Sequence, residues 1–178
     1  MARMTTYVGF LRAINLGATR KFGKEAIVAA TEAAGFTGVA THINTGNVRL
    51  ETTMRSRSRI EAALERAYLD DRGFEVPTIL FSAAELREIG EDVDLFGAAH
   101  VGRHYVTLLK SEPSDSTATA LEGRSTDGER VVVSGRTAHL LVGESYLGSS
   151  LAPAVEKVLG VGTSRNVTVI RALVQKWC

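Results

Sequence analysis

The residues best suited to chemistry begin in Tyr7-Val8-Gly9-Phe10-Leu11-Arg12-Ala13-Ile14-Asn15-Leu16-Gly17. Arg12 offers a planar guanidinium fork that matches carboxylate or phosphate. Asn15 adds a neutral amide that both donates and accepts. Both follow a β-rich apolar run, and Gly17 lets the chain turn away. Polar groups held at a strand end by a rigid sheet are a common way to build a binding site. The same pair also suits an ion pair at the sheet end and a shaped turn.

Two further groups have comparable chemistry. Thr45-Gly46-Asn47 puts a hydroxyl and an amide around a glycine, enough to grip an anion or simply to close a hairpin. Gly160 to Asn166 reads as a glycine-rich approach to a helix start. There Thr163, Ser164, Arg165 and Asn166 would meet free backbone N–H groups and the positive end of a helix dipole. An ordinary N-cap by Thr163 or Ser164 explains the same residues. The segment has neither Walker spacing nor a dinucleotide fingerprint, so no cofactor is expected. Arg55, Arg57 and Arg59 open a helix where basic charge opposes the dipole; a solvated, salt-bridged face is the default reading. His42, His100, His104 and His139 have no metal-ligand spacing, and no metal is expected. No nucleophile elbow or carboxylate dyad assigns a reaction, so whether the protein is an enzyme stays open.

The elements that position these groups follow from periodicity and punctuation. Residues 5–13 read as a strand, Lys24 to Gly35 as a capped helix, and 39–44 with 47–52 as a hairpin. A helix from Ser56 to about Arg72 and a strand over 76–81 complete a β-α-β-β-α-β order, that of a ferredoxin-like unit. A short helix over 83–89 and an acidic connector over 91–101 come next. The pattern then restarts at His104-Tyr105-Val106, with a helix to about Leu121, a hairpin over 129–143 and a helix over 151–159. The last strand of this second half is expected to be replaced by a helix from Ser164 to Trp177. The expected fold is thus α+β, two ferredoxin-like halves forming a pseudo-dimer with a cleft where they meet. Residues 1–90 form the first half, 91–101 the connector and 102–178 the diverged second half.

In a simple unit of this kind, the exit of strand one is expected at one end and the hairpin turn at the other. A nine-residue strand spans about 30 Å, which would keep Arg12 and Thr45 apart. Arg12 with Arg165 is then the pairing of most interest.

Leu11 to Gly17, Gly35-Phe36, Ile43 to Val48 and Gly162 to Asn166 together resemble the bacterial domain of unknown function family 1697. The resemblance spans nearly the whole chain and implies a cytoplasmic α+β protein. It implies no reaction. Thr45 stands where that family usually has Ser, and Val167 where it often has Trp.

Composition agrees with this picture. The chain has 178 residues, 44% hydrophobic and 23% charged, with a formal net charge of +1. No bulk field points to nucleic acid or a membrane. Its one cysteine, Cys178, allows no internal disulfide, which fits a reducing compartment. No signal peptide or spanning segment is expected, so the protein reads as cytoplasmic. The expected partner is a small anionic, phosphate- or nucleotide-like ligand bound in the cleft. Single-stranded nucleic acid on a sheet face is a weaker alternative, because aromatics make up only 6% of the chain. Oligomeric state is left open.

Overall fold

Apolar runs form most of the strands, Ser56, Ser82 and Ser114 begin helices with their hydroxyls, and Gly73 and Gly123 follow helix ends. The structure is a computed structural model describing residues 2–178. Its elements are β1 (Thr5–Leu11), α1 (Lys24–Ala33), β2 (Thr37–Thr41), β3 (Asn47–Thr52), α2 (Arg57–Arg72), β4 (Thr78–Ser82) and α3 (Ala83–Gly97). They continue as β5 (Arg103–Leu109), α4 (Asp115–Glu122), β6 (Arg130–Ser134), β7 (Thr137–Val142), α5 (Ala152–Val158), β8 (Gly162–Asn166) and α6 (Val167–Trp177). Among the described residues this is a mixed α+β fold of six helices and two four-stranded antiparallel sheets. Among the described residues no helix is long and apolar enough to cross a membrane. The chain divides into two compact units, Met1–Leu86 with Trp177–Cys178, and Arg87–Lys176.

In the first unit the strand order is β2-β3-β1-β4. Its α1 and α2 supply Ile27, Ile60, Leu64 and Tyr68 to a core with Tyr7, Leu11, Val48, Leu50 and Leu80 of the sheet. Tyr68 keeps its buried hydroxyl paired with Thr31, 2.8 Å away, so the core holds no orphan there. On the opposite face Val8, Phe10, Ile79 and Phe81 are buried as well. Ser56 accepts from Arg59 N to cap α2, and Gly73 ends it in the left-handed conformation. The basic run is mostly engaged internally: Arg55 donates to Thr5 and to Arg3 O, and Arg57 pairs with the buried Glu61 at 3.3 Å. Arg59 is left in solvent.

Two expectations need correction. The stretch 91–101 is not an irregular connector: α3 continues through it as far as Gly97. Ser82 and Glu85 form a reciprocal capping box at its start, and Leu86, Ile89 and Val93 bury one stripe. Gly90, the residue just after the expected short helix, lies inside α3 and serves packing. A Cβ on it would lie 3.1 Å from Val174. The second unit also keeps its last strand. Residues 162–166 form β8, paired antiparallel with β5 from Tyr105↔Asn166 to Leu109↔Gly162, and the helix starts only at Val167.

The strand order of the second unit is β6-β7-β5-β8. Leu121 of α4 and Val155 of α5 pack on Val131, Ala138, Leu140 and Val142. The other face carries a buried histidine pair. His104 Nε2 lies 3.0 Å from His139 Nδ1, and Phe96 of α3 meets the His139 ring edge-on at 4.9 Å. Gly97 leaves room for His104, whose Nδ1 would be 3.0 Å from an added Cβ. Both imidazoles are lowered from 6.5 to about 4, His139 by burial and His104 chiefly by burial with help from the charges of His139, His100, Arg171 and Arg130. Both rings are therefore neutral at pH 7 and share one hydrogen bond.

Because these folded-state values are depressed, the unfolded chain takes up protons first as pH falls. The pair's contribution to stability should be constant above about pH 7 and drop between pH 6.5 and 4, by about 3 kcal/mol for the first imidazole charged. Urea unfolding across that range checks this. The double variant His104→Leu/His139→Leu should show a much flatter profile.

Candidate functional site

The register of β1 decides the geometry of the site. β1 runs antiparallel to β3, with Phe10 opposite Asn47. The exit of β1 and the turn between β2 and β3 therefore lie at the same end of the sheet, not at opposite ends. Leu11 N donates to Gly46 O at 2.8 Å, and Arg12 N donates to Pro77 O at 2.9 Å. The chain leaving β1 is thus held on both sides. Gly46 is required at this approach. It has φ +78°, and a Cβ would lie 2.8 Å from Leu11 Cβ.

Beyond Arg12 the loop to Phe22 is anchored by Ile14 and Phe22, both in the core of the first unit. Ala13 and Asn15 adopt left-handed conformations with φ of 59° and 55°. Asn15 joins the loop to itself and to the hairpin. Its Oδ1 accepts from Phe22 N at 2.9 Å, and its Nδ2 donates to Phe22 O at 3.2 Å and Asn44 O at 2.9 Å. Both amide hydrogens are used, so the side chain read as a ligand group works as a staple. Arg20, passed over in the sequence, is a second staple. Its guanidinium donates to Ala13 O at 2.5 Å and Glu75 O at 2.6 Å and lies over the Phe74 ring. Only its place in a turn-rich loop beside Arg12 hinted at this.

The hairpin turn is held in the same way. Asn47 is fully buried, and its Nδ2 donates to His42 O at 3.0 Å and Thr45 Oγ1 at 2.9 Å. Ile43, Asn44 and Thr45 face solvent at the tip. Arg12 is exposed, and its guanidinium has no hydrogen-bond or ion-pair partner among the described residues. Arg12, Asn15, Thr45 and Asn47 therefore come together at one end of the first unit. Within the group Asn15 and Asn47 hold the backbone, while Arg12 points to solvent from it.

The remaining candidates lie in the second unit and have other duties. Thr163, Ser164 and Arg165 belong to β8, so their segment is a paired strand and not an open helix start. Ser164 Oγ lies 2.9 Å from Thr107 Oγ1. Arg165 is buried and donates to Thr163 Oγ1 at 2.8 Å and Ser164 O at 3.0 Å. Burial lowers its pKa to about 10, which leaves it cationic at pH 7. The cap of α6 is Asn166, whose Oδ1 accepts from Val169 N at 3.0 Å; neither Thr163 nor Ser164 caps it. Among the described residues no group of three His, Cys, Asp or Glu side chains could hold a metal ion.

If Asn15 is a staple, Asn15→Asp should remove two donors while keeping tolerance for a positive φ. It is expected to lower stability by about 1–2 kcal/mol in urea unfolding. A change below about 0.5 kcal/mol, within the range of ordinary surface substitutions, would show that the amide is dispensable to the fold.

Comparison with known proteins bears on fold and family. Among solved structures the chain is similar to the conserved bacterial protein SP0830 from Streptococcus pneumoniae, with a TM-score of 0.78 and 19% sequence identity. The match covers 97% of this chain and 98% of that one, and at this identity it shows a shared fold. No curated protein matches the chain. A family model matches residues 4–139, a span that includes the β1 exit, the hairpin and the second unit as far as β7. The chain belongs to the family described as Protein of unknown function (DUF1697).

Proposed function

We propose that the end of the first unit where β1 exits binds a small phosphate-bearing anion through Arg12. One observation carries the reading: an exposed guanidinium, without a partner among the described residues, stands on backbone fixed from both sides, by Leu11 N to Gly46 O and Arg12 N to Pro77 O. A guanidinium on a rigid base loses little freedom when it takes a bidentate anion. Thr45 lies on the neighbouring turn, and Lys21 and Lys24 are exposed on the loop and at the start of α1. In this reading Arg12 and Thr45 contact the ligand, while Asn15 and Asn47 position them. Thr163, Ser164, Arg165 and Asn166 are left out because β8 and α6 use them.

The alternative of single-stranded nucleic acid on the sheet face is disfavoured. Phe10 and Phe81 are buried and packed edge to face at 6.1 Å, so neither offers a ring for a base to stack on.

We also propose that each unit is a ferredoxin-like module and that the chain arose by internal duplication. Supporting this, the strand orders correspond, and two strand-exit hydrogen bonds recur. Leu109 N donates to Arg136 O at 2.8 Å, and Lys110 N donates to Val161 O at 3.0 Å, as Leu11 and Arg12 do in the first unit.

Thermal-shift measurements with phosphate, pyrophosphate and sugar phosphates test the anion site. A ligand at about 100 times its Kd should add roughly 2.7 kcal/mol of stability. Arg12→Ala should abolish the shift yet leave the ligand-free protein within about 0.5 kcal/mol of wild type, because no internal partner is lost. An equal shift in wild type and variant would rule out Arg12 as the contact.

A further inference from the structure

The anion site has an apolar edge that a bare phosphate would not need. Leu16 is 60% exposed and Ile43 is 44% exposed. Each sits one residue away from the hydrogen bond between Asn15 Nδ2 and Asn44 O that joins the two loops. Single exposed apolar residues are ordinary, but these two share one junction and one of them is strained. Ile43 is β-branched and has φ +50°, a conformation that Asn or Gly would adopt far more readily. The backbone strain is borne while the side chain packs only partly against the fold. Strain held in this way gathers at ligand contacts. The sole tryptophan lies beside the same turn. Trp177 is half-buried, with its ring edge-on to that of His42, the neighbour of Ile43, at 6.5 Å.

Resting on the reading of Arg12 above, we infer that the ligand is of the nucleotide class: a phosphate joined through a sugar to a flat heterocycle whose faces suit apolar contact. Arg12 takes the phosphate, and Leu16 and Ile43 take the ring. Sites for organic ligands combine a few placed polar groups with apolar contact surface, and this end of the unit has both. The apolar edge consists of two side chains and a nearby indole. That is the size of a ring system and too small for an acyl chain, so a nucleotide fits it better than a phospholipid.

Trp177 fluorescence, checked by calorimetry, reads the test. The probes are the four nucleoside 5′-monophosphates, ribose 5-phosphate and inorganic phosphate. At least one nucleotide should bind about tenfold or more tightly than ribose 5-phosphate, as expected when apolar contact adds on the order of 1.4 kcal/mol. The double variant Leu16→Ser/Ile43→Asn should lose that preference while its affinity for inorganic phosphate is unchanged. Ile43→Asn alone should raise the melting temperature by about 2–4 °C as the backbone relaxes. If phosphate and nucleotides bind equally and the loop variants change nothing, the apolar contact is refuted and the anion site stands. If no probe binds and Arg12→Ala behaves as wild type, the anion site itself is refuted. Binding of single-stranded oligonucleotides alone, with steep salt dependence, would overturn both in favour of nucleic acid.

Discussion

The hydrogen bond from Leu11 N to Gly46 O sets the position of everything else at the end of the first unit. It extends the antiparallel register of β1 and β3 by one residue and forces two loops, distant in sequence, to leave the sheet side by side. Gly46 must lack a Cβ for this approach, and Asn15 then locks the loops together with its side-chain amide. Asn15, Asn47 and Arg20 spend their polar groups on backbone partners or the neighbouring hydroxyl, so Arg12 needs none of them and stays available.

The two units use the same strand-exit pattern but spend different lengths of chain on it. After Lys110 the second unit goes almost directly into α4, capped by Ser114. The first unit inserts a long loop between β1 and α1. Among the described residues, the non-glycine positions with positive φ are Ala13, Asn15 and Ile43, all at this end of the first unit. Left-handed conformations cost most non-glycine residues about 1–2 kcal/mol each, and Asn less. Their concentration in one pair of loops marks this end as the place where the fold gives up stability for shape.

Much of the fold was legible in the residues. Ser56 and Gly73 bounded α2, Asn44 to Asn47 marked a hairpin, and the β-α-β-β-α-β order was readable to residue 81. The failures have local causes. Gly90 looks like a helix stop unless the neighbour that packs on it, Val174, is known. β8 is polar and short, and its strand character comes from pairing with β5 instead of from its own residues. The site was half legible. Arg12, Asn15, Thr45 and Asn47 could be named from type and spacing, but their meeting depended on the antiparallel direction of β1 against β3, which strand patterns do not encode. Nor could the sequence separate Asn15 from Arg12 by role, because an amide committed to backbone partners and one open to a ligand are spelled alike.

Trp177 has a consequence for how the first unit matures. Its ring meets His42, and it belongs to the first unit although the whole second unit lies between them in sequence. Contacts across such long separations close late, since the intervening chain must be ordered before the loop-closure entropy is repaid. During synthesis the first 86 residues leave the ribosome with β1, the hairpin and both covering helices, but without the indole. The hydrogen bonds that hold the hairpin turn all lie within those residues, so only the indole contact to His42 waits until the second unit has been translated.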